Sequence, residues 1–299
     1  MPTVAVTGAN GYVGGVIAAA LQSAGWNLIE LSRKPSTRGS AEAGTFRKFS
    51  LNEKIEPKAL EGIDALVHCA YDFASIDAEG IQKSNVAATL QLFNAARSAG
   101  VTRIVFISSM SAFEGCKSLY GQAKLAVERE ADKLGFNVVR PGLVYGPAAQ
   151  GMVGSLKKLA RLPLIMPMVG LGKMCLYLAH QDDLAALVIR LLDSSVSVPS
   201  GPIIAANDQP RTLRQIVELL SAAEGKGRKL MLPIPGIALW AGLGTVEMLG
   251  GRIRLRSDSL TSLLNQDTHP DFSATRQTGV PFRPFTAASM PSAARASPR

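Results

Sequence analysis

The chain has 299 residues, of which 47% are hydrophobic and 18% charged, and its formal net charge is +9. It can bury a large core, yet no apolar run reaches the roughly 20 residues that a bilayer span needs, which argues against a membrane-spanning protein. The basic residues are scattered without interleaved aromatic residues, so no nucleic-acid-binding module is predicted and the expected partner is a small molecule.

Three widely spaced cysteines, Cys69, Cys116 and Cys175, form no pairing or metal-binding pattern. They predict reduced thiols, no metal site and a cytoplasmic protein. The N-terminus enters a predicted strand almost at once, so no signal peptide is expected. The excess of positive charge fits an anionic substrate, a phosphorylated cofactor or an anionic surface, and it also fits solubility alone.

The first predicted elements are a strand and a helix joined by a glycine-rich turn. The apolar run 4–6 suits a buried parallel strand, and a helix predicted over 12–24 ends at Gly25. Between them, Gly8, Gly11 and Gly14 permit a tight turn and close approach of the backbone to a pyrophosphate. Backbone N–H groups and the helix dipole then hold the anion. The alternative is a tight turn that binds no ligand.

The end of the second predicted strand, 27–31, bears on the choice of nicotinamide cofactor. NAD enzymes usually carry an acidic residue there, whereas this chain has Ser32, Arg33 and Lys34. A guanidinium binds phosphate through two hydrogen bonds, so the pattern favours the 2′-phosphate of NADP. Glu30, one or two residues early, keeps NAD open, and a solvated Arg–Lys turn is the alternative without a ligand.

Alternating strands and helices continue through the first half of the chain and then loosen. Strands are predicted at 3–7, 27–31, 45–49, 64–69, 103–108 and 136–140, with helices at 12–24, 78–99 and 119–134. This alternation predicts an α/β fold with a doubly wound parallel sheet. Beyond residue 146, helices are predicted at 152–161, 182–193 and 212–224. They form a smaller, mostly helical C-terminal lobe that closes over a substrate.

Tyr120 and Lys124 place a phenol and an ammonium four residues apart, on one face of the helix predicted over 119–134. Tyrosine has an ordinary pKa of about 10, but a nearby ammonium and the positive ring of an oxidised nicotinamide both favour the phenolate. Tyr120 then takes a proton from a substrate hydroxyl as hydride leaves the same carbon, and reduction runs the reverse. For an isolated pair of this kind, the alternative is a solvated pair on the helix surface.

In this order, the glycine-rich turn and the Tyr–Lys pair resemble the motifs of the extended short-chain dehydrogenase/reductase superfamily, in its NAD-dependent epimerase/dehydratase group. The similarity covers roughly residues 1–285. Further matches are the fourth strand beside the adenosine (64–70), an asparagine in the next helix (Asn85), the segment beside the nicotinamide (140–147) and a motif bordering the substrate lobe (180–185).

The resemblance implies a Rossmann-type NAD(P)-binding domain over 1–147, with contributions from about 178–206, a substrate-binding lobe over 148–285 and a disordered tail over 286–299. It also suggests a homodimer through the helices near 78–99 and 119–134. Together with the residue patterns, it predicts contacts to the cofactor from Gly8, Ala9, Asn10, Gly11, Tyr12, Val13, Gly14, Ser32, Arg33, Ser50, Leu51, Cys69, Ala70, Asn85, Ser108, Tyr120, Lys124, Pro141, Gly142 and Val144.

Two departures from the family pattern concern the catalytic and adenine sites. The family places a Ser or Thr after the fifth strand to bind the substrate oxygen, and that position is Met110 here, whose thioether cannot donate a hydrogen bond. Ser111 is the predicted replacement, with Ser109 as the alternative, unless both serines only cap the strand end. Ser50 stands near the usual adenine-binding Asp and predicts a weaker version of that contact.

The substrate class stays open between nucleotide sugars and lipophilic alcohols or ketones. Nucleotide-sugar epimerases commonly carry an Arg where this chain has Leu176, which weakens the first class. The apolar run 232–243, followed by Arg252, Arg254 and Arg256, resembles segments of hydroxysteroid dehydrogenases that face a hydrophobic substrate or a membrane surface. Peripheral membrane contact through 232–256 is therefore one interpretation, and a core or dimer-packing helix is the favoured alternative.

The sequence thus predicts an NAD(P)-dependent oxidoreductase or epimerase that transfers hydride at a carbinol or carbonyl carbon, with a tyrosine as acid and base. One alternative is an enzyme like the hydroxysteroid and sterol dehydrogenases, acting at a membrane surface. A non-catalytic NAD(P)-binding sensor or scaffold is the other. The intact pair Tyr120 and Lys124 argues against the sensor, and Met110 keeps it open.

Overall fold

The structure of the protein, a computed structural model, describes residues 1–35, 46–147, 149–161, 165–195, 199–227, 229–236, 257–286 and 289, without the side chains of residues 159, 165 and 167. The elements up to the sixth strand are β1 (Thr3–Thr7), α1 (Tyr12–Ser23), β2 (Asn27–Ser32), β3 (Phe46–Lys48), a 3₁₀ turn (Pro57–Leu60), β4 (Ala65–His68), α2 (Ala78–Ile81), a π turn (Gln82–Ala87), α3 (Ala88–Ser98), β5 (Arg103–Ile107), α4 (Leu119–Lys133) and β6 (Asn137–Pro141).

The elements that follow β6 are β7 (Leu143–Tyr145), α5 (Gly151–Ala160), β8 (Ile165–Val169), β9 (Cys175–Leu176), β10 (Leu178–His180), α6 (Gln181–Leu192), β11 (Ile203–Ala205), β12 (Arg211–Thr212), α7 (Leu213–Ala223), β13 (Leu230–Ile234), α8 (Ser257–Leu264) and α9 (Ser273–Gln277). None of the described helices combines the length and the apolar composition that a bilayer span requires.

Seven strands form one parallel sheet in the order β11-β6-β5-β4-β1-β2-β3, which confirms the predicted Rossmann-type fold. The chain starts in the middle of the sheet, at β1, and later crosses over to β4 on its other side. Such a reversal of strand order opens a crevice at the carboxyl ends of the two strands, which is where α/β sheets bind ligands. The fold therefore places a site after Thr7 and His68.

Both faces of the sheet are apolar because helices cover both of them. On one face, Leu66 and Phe106 pack with Phe93 of α3, and all three side chains are almost fully buried. On the other face, Val4 and Val6 pack against Ile17 of α1. Burial on both faces explains why the strands carry unbroken apolar runs instead of alternating polar residues.

The predicted helix 78–99 is interrupted. The structure has α2 (Ala78–Ile81) and α3 (Ala88–Ser98), with a π turn over Gln82–Ala87 between them. One extra residue in this turn shifts the helix face, and π turns often occur at functional sites. Asn85, the predicted family asparagine, lies inside the turn.

The lobe has its own core and more strand pairing than the sequence predicts. Met166 and Leu176 pack there with Ile216 of α7 and Leu260 of α8. Short two-stranded ladders join β7 to β10, β9 to β12 and β8 to β13. Because β11 returns to pair with β6, the chain after the lobe rejoins the central sheet.

Candidate active site

A cleft of about 860 Å³ lies at the carboxyl ends of β1, β2 and β4. The predicted cofactor residues that line this cleft are Gly8, Asn10, Gly11, Ser32, Arg33, Ser50, Leu51, Cys69 and Ala70. The sequence analysis missed a further set of lining residues, namely Leu31, Lys34, Phe49, Asn52, Tyr71, Asp72, Phe73 and Ala74. A cavity of this size is in the range that holds a drug-sized or larger ligand.

The glycine-rich turn at the floor of the cleft is packed so closely that side chains do not fit. Gly8 has a φ of +69°, and a Cβ there would lie 2.9 Å from the backbone nitrogen of Ala70. A Cβ on Gly14 would lie 2.3 Å from the carbonyl oxygen of Gly8, which also accepts the N–H of Gly11 at 2.8 Å. The N-terminus of α1 is thereby left open to the cleft, as binding of a pyrophosphate requires.

A buried network behind the turn fixes the neighbouring strand end. The hydroxyl oxygen of Thr7 accepts the N–H groups of Cys69 (3.1 Å) and Ala70 (3.2 Å) and lies 2.7 Å from Nδ1 of His68. Nε2 of His68 lies 3.0 Å from the hydroxyl of Thr89. Burial lowers the pKa of His68 to about 3, and the charge of Lys124 lowers it further, so the ring is neutral. A neutral ring bonded on both sides holds the turn 69–70 against the cleft.

At the far end of the cleft, the loop after β2 presents Arg33 and Lys34. The carbonyl oxygen of Lys34 accepts hydrogen bonds from the side chains of Asn10 (2.8 Å) and Ser32 (2.7 Å). These two bonds hold the loop close to the glycine-rich turn. Of the described residues 30–35, Arg33 and Lys34 line the cleft and Glu30 does not.

Other predicted cofactor residues lie behind the cleft wall and bond to the protein. Asn85 accepts the N–H of Asp72 at 2.7 Å and donates to its carbonyl oxygen at 3.0 Å, which fixes the loop that lines the cleft. The hydroxyl of Tyr12 donates to Gln181 of α6 at 2.8 Å. Ser108 donates its hydroxyl to Glu128. Ala9 is buried in the core, where Val13 and Val144 pack against the same cluster.

The helix α4 presents Tyr120, Lys124 and Glu128 at successive turns, and the last residue of β5 and the two residues after it bind all three. Ser109 is hydrogen-bonded to the phenol of Tyr120. Nζ of Lys124 donates to the carbonyl oxygen of Ile107 at 2.8 Å. Glu128 accepts from Ser108 and forms a buried ion pair with Arg140 of β6. Three contacts in a row therefore fix the helix relative to the strand end.

The protonation states follow from burial. Burial raises the pKa of Tyr120 to about 12, although the hydrogen bond from Ser109 lowers it in part. Burial lowers the pKa of Lys124 to about 8, against the opposing effects of Cys69 and Glu128. At neutral pH the phenol therefore holds its proton, and Lys124 is mostly charged but loses its proton more readily than an exposed lysine.

An aromatic cluster surrounds the phenol and was not predicted. The rings of Tyr71 and Tyr120 meet edge to face with centroids 4.9 Å apart, and Phe73 stacks on Tyr120 at 6.3 Å. Tyr71 and Phe73 also line the large cleft. Tyr71 and Phe73, in the loop after β4, were the sequence feature that could have predicted this cluster. The sequence of an irregular loop does not indicate which way its side chains point.

Ser109 also lines a small cavity of about 70 Å³. Both predicted serines, Ser109 and Ser111, line it, and so do the predicted cofactor residues Pro141 and Gly142. The remaining lining residues are Met110, Leu143, Met152, Leu176, Tyr177, Ser262, Leu263 and Gln266. Tyr120 is not among the described lining residues of either space, but its ring packs on Tyr71 and Phe73 of the cleft and its phenol bonds to Ser109 of the cavity.

Residues 4–205 match the profile of the NAD dependent epimerase/dehydratase family. The match spans more than half of the chain, so the protein belongs to this family, as the motifs predicted. Its enzyme class is that of the NAD(P)-dependent oxidoreductases and epimerases, and its cofactor is a nicotinamide dinucleotide. The cradle formed by Gly8 and Gly14, which added Cβ atoms would fill, fits such a group.

Relatives and solved structures agree with the fold. The chain is 27% identical over 306 residues to a ceramide reductase of Caulobacter vibrioides, covering 94% of this chain and 89% of the relative. It is 24% identical to a UDP-glucose 4-epimerase of Vibrio cholerae, covering 58% and 62%. The structure of MoeE5 in complex with UDP-glucuronic acid and NAD superposes with a TM-score of 0.70 at 21% identity, covering 96% of this chain and 97% of that one.

Proposed function

We propose that the protein is an NADP(H)-dependent reductase that converts a ketone on a lipophilic molecule to a secondary alcohol. The observation that carries this proposal is the lining of the small cavity beside Ser109, which holds no Arg or Lys among the described residues. Its side chains are mainly apolar, with Met110, Leu143 and Leu176 among them. A diphosphate group needs cations, whereas an alkyl chain gains by burial in such surroundings.

The nicotinamide, when bound in the cleft, supplies the hydride. Tyr120 donates its phenolic proton to the carbonyl oxygen as that oxygen becomes an alkoxide. The high pKa of Tyr120, about 12, keeps this proton in place at neutral pH, as the acid of a reduction requires. Lys124, whose Nζ lies 6.0 Å from the centre of the Tyr120 ring, stabilises the phenolate that remains.

Ser109 is the serine that we assign to the site instead of the predicted Ser111. Its hydroxyl is bonded to the phenol of Tyr120 and also accepts the N–H of Ser111 at 3.1 Å. Ser111 contributes its backbone to helix packing, since a Cβ on Gly121 of α4 would lie 2.2 Å from the Ser111 carbonyl oxygen. A hydroxyl between the cavity and the phenol is placed to bind a substrate oxygen, the role that Met110 cannot fill.

The similarity to a ceramide reductase supports the same substrate class, because it extends over 94% of this chain. We therefore propose a long-chain keto lipid, such as a ketone derivative of ceramide, as the kind of substrate. Nucleotide sugars are the second candidate, and they are favoured by the relationship to UDP-glucose 4-epimerase of Vibrio cholerae.

A substrate panel decides between the two classes. With NADPH, we expect turnover of a long-chain methyl ketone and of a ketone derivative of ceramide in detergent micelles, and a kcat/KM at least about tenfold lower for a short-chain methyl ketone. UDP-glucose serves as the nucleotide-sugar probe. Turnover of UDP-glucose without reduction of the ketones would contradict the proposal and restore the epimerase alternative.

Arg33 is proposed to select NADP over NAD. We expect Arg33→Ala to raise the Kd of NADPH by about 10- to 100-fold, because a charge-assisted hydrogen bond is worth about 1.5–3 kcal/mol, and to leave the Kd of NADH unchanged. Titration of the nicotinamide fluorescence measures both constants. Arg97→Ala, at an exposed position of α3 away from the cleft, is the matched control. An equal rise in the Kd of NADPH and of NADH would overturn the proposed preference for NADP.

Two further expectations stay predictions. The homodimer is proposed to form through α2, α3 and α4, as the family resemblance implies. Peripheral membrane contact is proposed for the segment 232–256, of which residues 237–256 lie outside the described part of the chain. The tail predicted to be disordered, 286–299, lies outside it as well, apart from residues 286 and 289.

A further inference from the structure

A carboxylate from the C-terminal lobe lies at the N-terminus of the catalytic helix. Oδ1 of Asp258 accepts the backbone N–H of Leu119 at 2.7 Å, and Oδ2 accepts the backbone N–H of Tyr120 itself at 3.0 Å. Asp258 belongs to the first turn of α8, which the chain reaches 138 residues after Tyr120. A residue of the substrate lobe therefore binds the peptide group that carries the phenol.

Among the described residues, Asp258 is the hydrogen-bond acceptor for the backbone N–H groups of Leu119 and Tyr120, in the first turn of α4. Ser118 caps the helix, and its hydroxyl accepts the N–H of Gly121 at 3.1 Å. The N–H groups of Leu119 and Tyr120 depend on Asp258, because N–H groups at the start of a helix have no carbonyl partner within it. A negative charge is also favourable there, since the helix dipole places partial positive charge at the N-terminus.

The same helix α8 also forms a wall of the substrate cavity. Ser262 and Leu263 line the cavity beside Ser109, and so does Gln266 just after the end of the helix. Asp258 and Ser262 are four residues apart within α8, so they lie on one side of this helix. The side that borders the cavity therefore also carries the carboxylate that holds Tyr120.

We infer that Asp258 is a positioning residue for Tyr120 and connects the wall of the substrate cavity to the backbone of the acid. This inference rests on the proposed reductase function, for which the phenol must point at the substrate oxygen. Without both hydrogen bonds the first turn of α4 frays, and the phenol leaves its bond to Ser109. A small displacement of an acid in the site lowers kcat strongly while the cofactor, bound mainly at the far glycine-rich turn, is held as before.

The test uses the full chain with Asp258→Asn, which removes the charge and one acceptor while keeping the shape. Asp258→Ala is the second variant. The matched control is Asp271→Asn, because Asp271 also accepts a backbone N–H near the start of a helix, that of Ser273 at 2.8 Å. Three quantities are measured: kcat for the long-chain methyl ketone, Kd for NADPH, and hydrogen exchange of the amides of Leu119 and Tyr120.

We expect both Asp258 variants to lower kcat at least about tenfold, to leave the Kd of NADPH within about twofold, and to speed exchange of the Leu119 and Tyr120 amides. Asp271→Asn should leave all three as in the wild type. A kcat equal to that of the control, unchanged exchange, or a Kd that rises in parallel with the loss of kcat would each overturn the positioning role.

The exchange measurement needs no substrate, and this separates the two proposals. If the wild-type protein reduces none of the lipophilic ketones, the proposed function fails. The role of Asp258 is then decided by amide exchange alone, with faster exchange in Asp258→Asn than in Asp271→Asn supporting it. Equal exchange in these two variants would overturn it.

Discussion

Replacing Tyr120 by phenylalanine is expected to lower kcat by about 10²- to 10⁴-fold, the contribution that a positioned acid makes to a proton transfer. Phenylalanine keeps the ring that packs on Tyr71 and Phe73 and removes only the hydroxyl that bonds to Ser109. The fold and the cleft are therefore unaffected. Steady-state turnover of the long-chain ketone and titration with NADPH measure the two consequences.

Two outcomes of this substitution separate the enzyme from the sensor that the sequence left open. A large loss of kcat with an unchanged Kd for NADPH is the result that acid catalysis by Tyr120 requires. Tyr71→Phe is the matched control, because it removes a phenolic hydroxyl from the same aromatic cluster and Tyr71 also lines the cleft. Wild-type turnover in Tyr120→Phe would contradict the mechanism.

The pH dependence of reduction follows from the same groups. Tyr120, with a pKa of about 12, stays protonated through the neutral range, and Lys124 loses its charge near pH 8. Folding lowers the pKa of Lys124 from 10.5 to about 8, so the contribution of this group to stability is lost as the pH falls from about 10 to about 8. Turnover has the opposite pH dependence: it decreases as the pH rises above about 8, because only the charged ammonium stabilises a phenolate.

The strand order and the residues that the structure places at the cleft depend on local sequence. The order of strands and helices followed from alternating apolar runs, and the observed β1, Thr3–Thr7, has the predicted bounds. Gly8 and Arg33 were predicted from their places after the first and second strands, and both line the cleft. Residues that directly follow a strand lie at its carboxyl end, where such sheets bind ligands, so their position can be predicted from the sequence.

The parts that were not predicted depend on contacts between distant segments. The choice between Ser109 and Ser111 depends on how the chain turns after β5, where the N–H of Ser111 bonds back to the Ser109 hydroxyl. Asp258 acts on a residue 138 positions away. The ladder of β9 with β12 pairs only two residues on each strand, too few for a periodic pattern.

These two groups of residues meet at Tyr120. Its spacing to Lys124 is local and was visible in the sequence, whereas its partners Ser109, Phe73 and Asp258 come from three other segments. Local spacing therefore singles out Tyr120 as the proposed acid, and the long-range contacts determine where its phenol points. Under the proposed function, substrate preference also depends on long-range contacts, because the cavity beside Ser109 is lined by residues from the lobe as well as from the central sheet.

Replacing Gly14 by alanine is expected to raise the Kd of NADPH at least about a hundredfold. The added Cβ would lie 2.3 Å from the carbonyl oxygen of Gly8 and 2.8 Å from its carbonyl carbon, and both are backbone atoms that cannot rotate away. The turn must then open or α1 must move. The energetic cost of this movement lies at the upper end of the roughly 1–3 kcal/mol that overpacking costs. Either movement displaces the N–H groups that face the pyrophosphate.

Gly227→Ala is the matched control for this substitution, because a Cβ on Gly227 meets no atom within 4 Å. Circular dichroism verifies that both variants fold, and NADPH fluorescence gives both values of Kd. The Gly14 variant is expected to keep its secondary structure, since the clash is confined to one turn. If the Gly14 variant bound NADPH as tightly as the Gly227 variant, the pyrophosphate could not bind on the turn between β1 and α1. A pyrophosphate on this turn is displaced by the methyl group added at Gly14, whereas a pyrophosphate bound elsewhere is not affected by it.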